Sequence, residues 1–331
     1  MLFSHILGGC DIGARPIDLH LSGFKKLGIN VEEEAGYIKC SADRIVGADI
    51  NLDFPSVGAT ENIMLASVMA EGETTINNAA LEPEIVDLQT ILNKMGAKIQ
   101  GAGTSIIKIK GVKRLKETSH NIMPDRIEAG TLLVATAITG GNIRLENCCA
   151  DHIIPVIHKL EEMGCKIEIK RDIIELSAPK KLKAIDIKTM PYPGFPTDMQ
   201  SVMGAICVVA KGTSVIVENI FENRYKYTNE LKRMGAKITI EGKTAIIKGT
   251  KKLSGAEVNA TDLRGGAALV IAGLVAKGKT TVNNIEYILR GYEDLAAKLN
   301  SLGAKITKVG EKSGETRSQK IKRTREKNQK K

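Results

Sequence analysis

The pentapeptide Met95-Gly96-Ala97-Lys98-Ile99 ends a segment with helical apolar periodicity, and its pattern, Leu/Met-Gly-x-x-Ile/Val, occurs five times in the 331-residue chain. The other copies are Leu27-Gly28-Ile29-Asn30-Val31, Met163-Gly164-Cys165-Lys166-Ile167, Met234-Gly235-Ala236-Lys237-Ile238 and Leu302-Gly303-Ala304-Lys305-Ile306. Successive glycines are 68, 68, 71 and 68 residues apart. Glycine readily adopts the left-handed conformation that ends a helix before a strand. The pattern therefore predicts an internal repeat in which each glycine separates a helix from a strand.

Between these copies lie four Ala-rich helical segments, each ending near a glycine and followed by a β-branched strand. The predicted helices are residues 57–72, 128–141, 198–212 and 262–278, and short strands are expected before them at residues 48–52, 121–123, 185–187 and 256–259. A β-hairpin is expected after each Gly-x-x-Ile. Each unit then contains strand, helix, strand, helix, strand and strand, and it must dock on its neighbours to bury its apolar helix face.

The first unit differs because it opens at Cys10 without the strand and Ala-rich helix that should precede it. We therefore expect the chain to begin in mid-repeat, with residues 1–7 as the last residues of the preceding half-unit, in a strand.

Composition indicates a globular chain, since 43% of the residues are hydrophobic and periodic segments alternate along it. No apolar run reaches the roughly 18 residues of a membrane span, and no signal peptide is recognisable, so we expect a cytoplasmic protein without membrane partners. The six cysteines lack C-x-x-C spacing and the five histidines lack H-x-x-x-H spacing. These patterns favour reduced thiols and give no support to a metal site.

The net charge of +10 is concentrated at the C-terminus, where residues 311–331 hold nine Lys or Arg and three Glu. This segment has no apolar periodicity and is expected to be a disordered tail. Because the remaining chain carries only +4, and aromatic residues make up 3% without any Trp, nucleic-acid binding is not expected.

The stretch Gly8-Gly9-Cys10-Asp11-Ile12-Gly13-Ala14-Arg15-Pro16 places a thiol and an arginine before a predicted helix start. Free N–H groups and the positive end of the helix dipole favour an anion there, and Arg15 could add a bidentate grip on phosphate or carboxylate. The same field lowers the pKa of a thiol and makes it reactive. The alternative is that Cys10 is a small buried apolar residue, as most free cysteines are.

Five of the 13 arginines stand at or just before predicted helix starts: Arg15, Arg126, Arg224, Arg264 and Arg290. A cation at that position opposes the helix dipole unless an anion is bound, and guanidinium binds phosphate in a fork. We expect at least two of the five to be ligand groups. The alternative is that some pair with neighbouring carboxylates, in Asp125-Arg126 and in Asp262-x-Arg264.

Asp198 precedes an Ala-rich helix, where an aspartate is by default an N-cap. The preceding run Met190-Pro191-Tyr192-Pro193-Gly194-Phe195-Pro196 contains three prolines, which restrict the approach of the loop to that helix. Rigid loops often carry chemistry, so a catalytic role is the second interpretation of Asp198.

Seven motifs then make the chain recognisable, in the order GGCDIGARPIDLH, SVGAT, NAALEPEIVD, MPDRIEAGT, PGFPTDMQ, FENRY and NATDLR. Together they resemble the UDP-N-acetylglucosamine branch of the enolpyruvyl transferase family, over about residues 7–308. The resemblance implies an α/β fold in which βαβαββ units form a two-domain inside-out α/β barrel with an incomplete first domain. It implies a remnant of the cysteine-loop domain at residues 1–123, a second domain at 124–310 and the tail at 311–331.

The resemblance also implies transfer of an enolpyruvyl group from phosphoenolpyruvate to the 3-hydroxyl of UDP-N-acetylglucosamine, with release of phosphate and with neither cofactor nor metal. By the same likeness, Cys10 is the general acid and Asp198 removes the proton from the attacking hydroxyl. Arg15 and Arg264 are implied to bind phosphoenolpyruvate. The residues implied to bind the nucleotide sugar are Arg15, Pro16, Ile17, Asp18, Leu19, Ser56, Val57, Asp198 and Ile220.

The chain departs from the family pattern at its start, where the family has roughly a hundred further residues that include a Lys-Asn pair and a substrate-binding arginine. Leu7 also stands where the family usually has proline. We therefore expect at most weak transferase activity from the chain alone. The alternative function is a non-catalytic binder of sugar nucleotides, and the sequence gives no indication of the oligomeric state.

Overall fold

The computed structural model describes residues 2–5, 17–34 and 37–309, with only the backbone described for 2–5 and Glu34. The chain divides into two compact units, Met1–Gly291 and Tyr292–Lys331. The expected domain boundary after residue 123 remains a prediction, as does the tail at 311–331, which lies outside the described residues.

The first part of the larger unit contains one half-repeat and one full repeat. In chain order its elements are β1 (Leu2–His5), α1 (Asp18–Lys26), β2 (Asn30–Glu34), β3 (Tyr37–Ser41), β4 (Asp49–Asn51), α2 (Val57–Ser67), β5 (Glu73–Asn77), α3 (Pro83–Lys94), β6 (Lys98–Gln100) and β7 (Ile106–Lys110). The expected strand within residues 1–7 is confirmed by β1, which pairs antiparallel with β3.

The remainder of the larger unit continues with further helices and strands. They are α4 (Arg126–Thr139), β8 (Asn142–Leu145), α5 (Ile154–Glu162), β9 (Lys166–Lys170), β10 (Ile173–Ser177), β11 (Asp186–Lys188), α6 (Gln200–Cys207), β12 (Thr213–Val217), α7 (Tyr227–Arg233), β13 (Lys237–Glu241), β14 (Thr244–Lys248), β15 (Leu253–Ser254), β16 (Glu257–Asn259), α8 (Leu263–Gly273), β17 (Ala276–Lys277) and β18 (Thr281–Asn283). Short 3-10 helices cover Ala150–His152, Thr197–Met199 and Ile288–Arg290.

Two four-stranded sheets have the same topology, which confirms the predicted repeat. Their strand orders are β4-β5-β7-β6 and β11-β12-β14-β13. In each, the first two strands are parallel and are joined through an Ala-rich helix, and the last two form an antiparallel hairpin. Equivalent positions carry the buried apolar face, with Ile50 opposite Ile76 in one sheet and Ile187 opposite Ile216 in the other.

The five repeat glycines adopt the predicted left-handed conformation. Their φ values are +81° at Gly28, +101° at Gly96, +104° at Gly164, +95° at Gly235 and +99° at Gly303. The first four follow α1, α3, α5 and α7, and the fifth follows α9 (Leu295–Ser301) in the smaller unit. After α1, α3, α5 and α7 this turn brings the helix back onto the strand that follows it.

The Ala-rich helices form the interior of the larger unit. Helix α6 packs against both α4 and α8, and all eight of its residues are buried. Helix α2 contributes Ala59, Ile63 and Met64 to a core that also includes the apolar faces of β4–β7. In the described part of the chain, no helix combines the length and apolarity needed to cross a bilayer.

Three Ala-rich helices are shorter than predicted, for one shared reason. Helices α2, α6 and α8 end at Ser67, Cys207 and Gly273, five residues before the expected glycine. The residues that follow instead pair with the chain preceding the helix: Glu71 bridges to Val46, Lys211 to Lys183, and β17 pairs with β15.

Two expected strands are absent from the described residues. Residues 121–123 form no strand; Ile122 is 80% exposed there, and Pro124 follows directly. In the smaller unit, residues 304–309 form no strand after Gly303. The side chain of Asn300 instead exchanges two hydrogen bonds with the backbone of Ile306, both 2.8 Å long.

Candidate functional site

Three of the four Ala-rich helices begin at a side-chain N-cap. The hydroxyl of Ser56 accepts from the Ala59 N–H, the carboxylate of Asp125 accepts from the first turn of α4, and that of Asp262 accepts from the first turn of α8. Such caps satisfy N–H groups that have no partner within the helix. The start of an Ala-rich helix is therefore normally a stabilising feature in this chain.

The fourth helix, α6, begins differently. It follows the 3-10 helix Thr197–Met199, and neither of these helices has a side-chain cap hydrogen bond. Asp198 lies within this 3-10 helix, between the cap positions Pro196 and Met199, and its carboxylate accepts from arginines. Oδ1 accepts from Nη2 of Arg224 at 2.8 Å, and Oδ2 accepts from Nε of Arg264 at 3.0 Å.

This geometry shows that Asp198 is not the N-cap that an aspartate before a helix usually is. Arg264 reaches it from the first turn of α8, and Arg224 reaches it from the segment before α7. Side chains separated by 26 and 66 residues in sequence thus meet at the start of α6.

The three side chains differ in exposure. That of Arg224 is 3% exposed and that of Arg264 13%, whereas Asp198 remains 40% exposed. The Arg224 guanidinium lies over the ring of Phe221, 5.3 Å from its centroid. Its Nε is buried and has no hydrogen-bond partner among the described residues.

The electrostatics of the cluster favour an additional anion. Two guanidiniums contact the Asp198 carboxylate, and the buried Nε–H of Arg224, without a partner among the described residues, is costly. Burial raises the pKa of Asp198, but the charges and hydrogen bonds of Arg224 and Arg264 outweigh it and lower that pKa to about 2. Asp198 is therefore ionised at neutral pH. The cluster can bind phosphate or carboxylate and can present a carboxylate base beside it.

The other two described arginines of the predicted set have different surroundings. Arg126 donates from Nε and Nη2 to the carboxylate of Glu84, at 2.9 and 3.3 Å. Its guanidinium also lies 5.6 Å from the ring centroid of Tyr192. Arg290 ends a 3-10 helix and is exposed.

The alternative that these arginines pair with adjacent carboxylates is wrong for both named pairs. Asp125 and Asp262 cap their own helices, while Arg126 and Arg264 reach carboxylates far away in sequence.

The residues implied to bind the nucleotide sugar fall in two groups. Ile17, Asp18 and Leu19 lie at the start of α1, and Ser56 and Val57 lie at the start of α2, which packs against α1. The two starts are adjacent, since a Cβ added at Gly58 would lie 3.1 Å from Cε1 of His20. Ile220 lies instead close to the Asp198 cluster in sequence, four residues before Arg224.

Cys10, Arg15 and Pro16 lie outside the described residues, so their predicted roles remain predictions. Among the described residues, no three His, Cys, Asp or Glu side chains are grouped as metal ligands.

Glu218 was missed by the sequence analysis. It is buried and bonded to the turn that carries Asp198. The only local pattern that marks Glu218 is its place directly after a β-branched strand. Charged residues are common at such places, so this pattern does not indicate a function.

Comparisons with known proteins show to which family the chain is similar. A sequence profile of the EPSP synthase (3-phosphoshikimate 1-carboxyvinyltransferase) family matches residues 2–299. UDP-N-acetylglucosamine 1-carboxyvinyltransferase 1 of Caldanaerobacter subterraneus subsp. tengcongensis is 59% identical over 299 residues, which cover 90% of this chain and 72% of the relative. UDP-N-acetylglucosamine 1-carboxyvinyltransferase 2 of Carboxydothermus hydrogenoformans is 55% identical, over 92% of this chain and 73% of the relative.

Solved structures confirm the expected fold class. The crystal structure of the enolpyruvyl transferase NikO from Streptomyces tendae is similar with a TM-score of 0.81 at 25% identity, covering 89% of this chain and 73% of that chain. An EPSP synthase from Acinetobacter baumannii shares the fold alone, with a TM-score of 0.69 at 21% identity over 92% of this chain and 74% of that chain.

Proposed function

The chain belongs to the EPSP synthase family of enolpyruvyl transferases, and we propose that it transfers the enolpyruvyl group of phosphoenolpyruvate to the 3-hydroxyl of UDP-N-acetylglucosamine. The observation that carries this proposal is the contact of Asp198 with both Arg224 and Arg264, because a carboxylate held by two guanidiniums supports a base beside an anion site. Relatives that are 55–59% identical and named for this reaction support the choice of substrates.

The reaction is an addition followed by an elimination. The oxygen of the 3-hydroxyl bonds to C2 of phosphoenolpyruvate as its proton passes to Asp198, and a proton is added to the C3 methylene. The tetrahedral adduct then loses phosphate from C2 while C3 gives up a proton, which restores the vinyl group. Arg224 and Arg264 bind the negative groups of phosphoenolpyruvate and stabilise the charge that develops during the transfer.

Binding of phosphoenolpyruvate also prepares the base. In the free protein the two arginines hold the pKa of Asp198 at about 2, which makes it a weak proton acceptor. An anion that shares the guanidiniums withdraws part of that stabilisation and adds a like charge, and both effects raise the pKa of the carboxylate. Asp198 thus becomes a stronger base when the second substrate is present.

The remaining roles rest on the family resemblance. Cys10 would supply the proton to C3, and Arg15 would join Arg264 in binding phosphoenolpyruvate. The nucleotide sugar would contact the two adjacent helix starts, at Ile17–Leu19 and Ser56–Val57, together with Ile220. The product would enter peptidoglycan synthesis in the cytoplasm, and so serve cell shape and division.

The test is to incubate the full chain with both substrates and to measure phosphate release, with mass spectrometry of the UDP-sugar product. A product heavier by one enolpyruvyl group, formed in proportion to the phosphate, is the expected result. Phosphate release that does not depend on the sugar nucleotide, or no release at all, would refute the proposal.

A second experiment separates an enzyme from a non-catalytic binder of sugar nucleotides. Fosfomycin should alkylate Cys10, and should do so faster when UDP-N-acetylglucosamine is bound. Cys40, half-buried in β3, is the matched reference thiol. Equal labelling of Cys10 and Cys40 would contradict the catalytic role of the Cys10 loop.

A further inference from the structure

Glu218 follows β12 directly and is a charged residue without any solvent exposure. Burying an ionised carboxylate is unfavourable unless hydrogen bonds compensate for the lost hydration. The loop after β12 does not by itself require a buried carboxylate. The hydrogen-bond partners of the Glu218 carboxylate therefore indicate its role.

Four donors satisfy Glu218. Its Oε1 accepts from the Thr189 hydroxyl at 3.0 Å and from the N–H groups of Ile220 and Phe221 at 2.8 and 3.1 Å. Its Oε2 accepts from the Thr197 hydroxyl at 2.9 Å. One side chain therefore ties together the segment after β11, the 3-10 helix before α6 and the segment after β12.

Two of these segments carry the two sides of the Asp198–Arg224 ion pair. Thr197 is the residue immediately before Asp198, in the same turn of 3-10 helix. Phe221 lies under the Arg224 guanidinium. Glu218 therefore connects the backbone beside the carboxylate with the backbone beneath the guanidinium.

We propose that Glu218 is a positioning residue for the transfer reaction: it fixes the Asp198 carboxylate relative to Arg224 and to the Ile220 backbone. The inference rests on the proposed function. It extends that function by naming the buried residue that sets the position of the Asp198 carboxylate. Catalysis is sensitive to such placement, since a displacement of about 1 Å can lower the rate about 100-fold.

Thr189, one of the four donors to Glu218, extends the same network of hydrogen bonds. The Thr189 hydroxyl, which donates to Glu218, also accepts from the N–H of Asn219 at 2.9 Å. The Asn219 side chain in turn donates to the Thr189 carbonyl at 3.0 Å. These bonds make the strand ends rigid on both sides of Glu218, so the carboxylate has a fixed position from which to hold Thr197.

The sharpest variant is Thr197→Val, because valine has the shape of threonine but lacks the hydroxyl that donates to Glu218. We expect kcat to fall at least about tenfold, while the KM for phosphoenolpyruvate changes less than about threefold. Thr197→Ser keeps the hydroxyl and should retain kcat within about threefold of the parent. A merely structural role for the hydroxyl would lower the amount of folded protein without changing kcat.

Hydrogen–deuterium exchange of the full chain gives a readout that does not depend on activity. Thr197→Val should accelerate exchange at residues 197–200 at least about tenfold and leave residues 218–225 unchanged. Glu218→Ala should accelerate exchange in both segments, because it removes the acceptor that they share.

The outcomes separate the two proposals. If the parent chain releases no phosphate, the proposed function fails, and the exchange data alone decide the role of Glu218. The positioning role is overturned if Thr197→Val keeps kcat within about threefold of the parent, or if Thr197→Ser lowers kcat as much as Thr197→Val does. It is also overturned if Glu218→Ala leaves the rate of hydrogen–deuterium exchange at residues 197–200 unchanged.

Discussion

Asp198 and Arg224 are joined by a 2.8 Å hydrogen bond, yet the arginine is buried and the aspartate is 40% exposed. The guanidinium therefore depends on this carboxylate for its charge balance, while the carboxylate still faces the solvent from which a substrate arrives. An ion pair that served stability alone would gain nothing from leaving one partner exposed. The asymmetry supports the proposed role of Asp198 as a base that exchanges partners during the transfer.

Asp198→Asn should abolish turnover and also lower stability. Loss of the proton-accepting charge typically lowers a rate about 100-fold or more. Because Arg224 is buried, the loss of its counter-charge should also lower the melting temperature by several degrees, whereas a pure N-cap would tolerate asparagine. Phosphate release and thermal unfolding measure the two effects. Asp125→Asn is the matched control, since it changes a true cap, and it should leave turnover and melting temperature nearly unchanged. If turnover of Asp198→Asn stays within about threefold of the parent, Asp198 is not the base.

The stabilising effect of the Asp198 ion pairs should disappear in acid. The pKa of Asp198 is about 2 in the folded protein, below the ordinary value of about 3.9 for an unfolded chain, so folding favours the ionised form. The contribution is complete above about pH 4 and is lost as the pH falls towards about 2. Urea unfolding of the parent and of Asp198→Asn at a series of pH values should show a stability difference that narrows over this window. A difference that stays constant from pH 6 to pH 2.5 would contradict the assignment.

Arg224→Gln should weaken the binding of orthophosphate to the free protein. The variant removes the guanidinium whose Nε has no partner among the described residues, so the affinity should fall at least about tenfold. Isothermal titration calorimetry at low salt measures it. Arg233→Gln is the control, because Arg233 is half-exposed and pairs with Glu230 at 3.3 Å on the surface of α7. Equal loss in both variants would indicate nonspecific attraction between charges.

Gly96→Ala should destabilise the fold through backbone strain alone. Gly96 has a φ of +101°, and an added Cβ would meet no atom within 4 Å. The expected cost is about 1–2 kcal/mol, which lowers the melting temperature by a few degrees. Gly141→Ala is the matched control, because Gly141 lacks a positive φ and its added Cβ would make ordinary contacts. If both variants melt at the same temperature as the parent, the left-handed turn is not what selects glycine in the repeat.

The repeat could be predicted from the sequence because its signals are local. A glycine after an apolar helix and a β-branched strand after an Ala-rich segment act within a few residues, and both recur at fixed spacing. The ends of α2, α6 and α8 could not be predicted in this way. These ends depend on β-pairing between residues after the helix and residues before it. The apolar periodicity of the sequence continues past the residue at which each helix ends.

The role of Asp198 could not be decided locally for a similar reason. Thr197-Asp198 and Thr261-Asp262 are the same dipeptide before an Ala-rich helix, yet Asp262 caps α8 and Asp198 does not cap α6. The difference comes from two arginines that approach only one of them. The family resemblance points to Asp198 as the base, and that role stays a prediction, whereas Glu218 was not recognised because its four donors are brought together only by the fold.

Because α6 has no side-chain cap, the residues at its start, 197–200, can be optimised for stability or for activity but not for both. In the other three Ala-rich helices a side-chain cap strengthens the fold, so α6 is the one of these four helices that starts without this stabilisation. Laboratory evolution for heat resistance, with no demand for activity, should therefore accumulate substitutions at residues 197–200 that restore a cap. Asp125 and Asp262 should stay as they are under the same regime, since their carboxylates already cap α4 and α8.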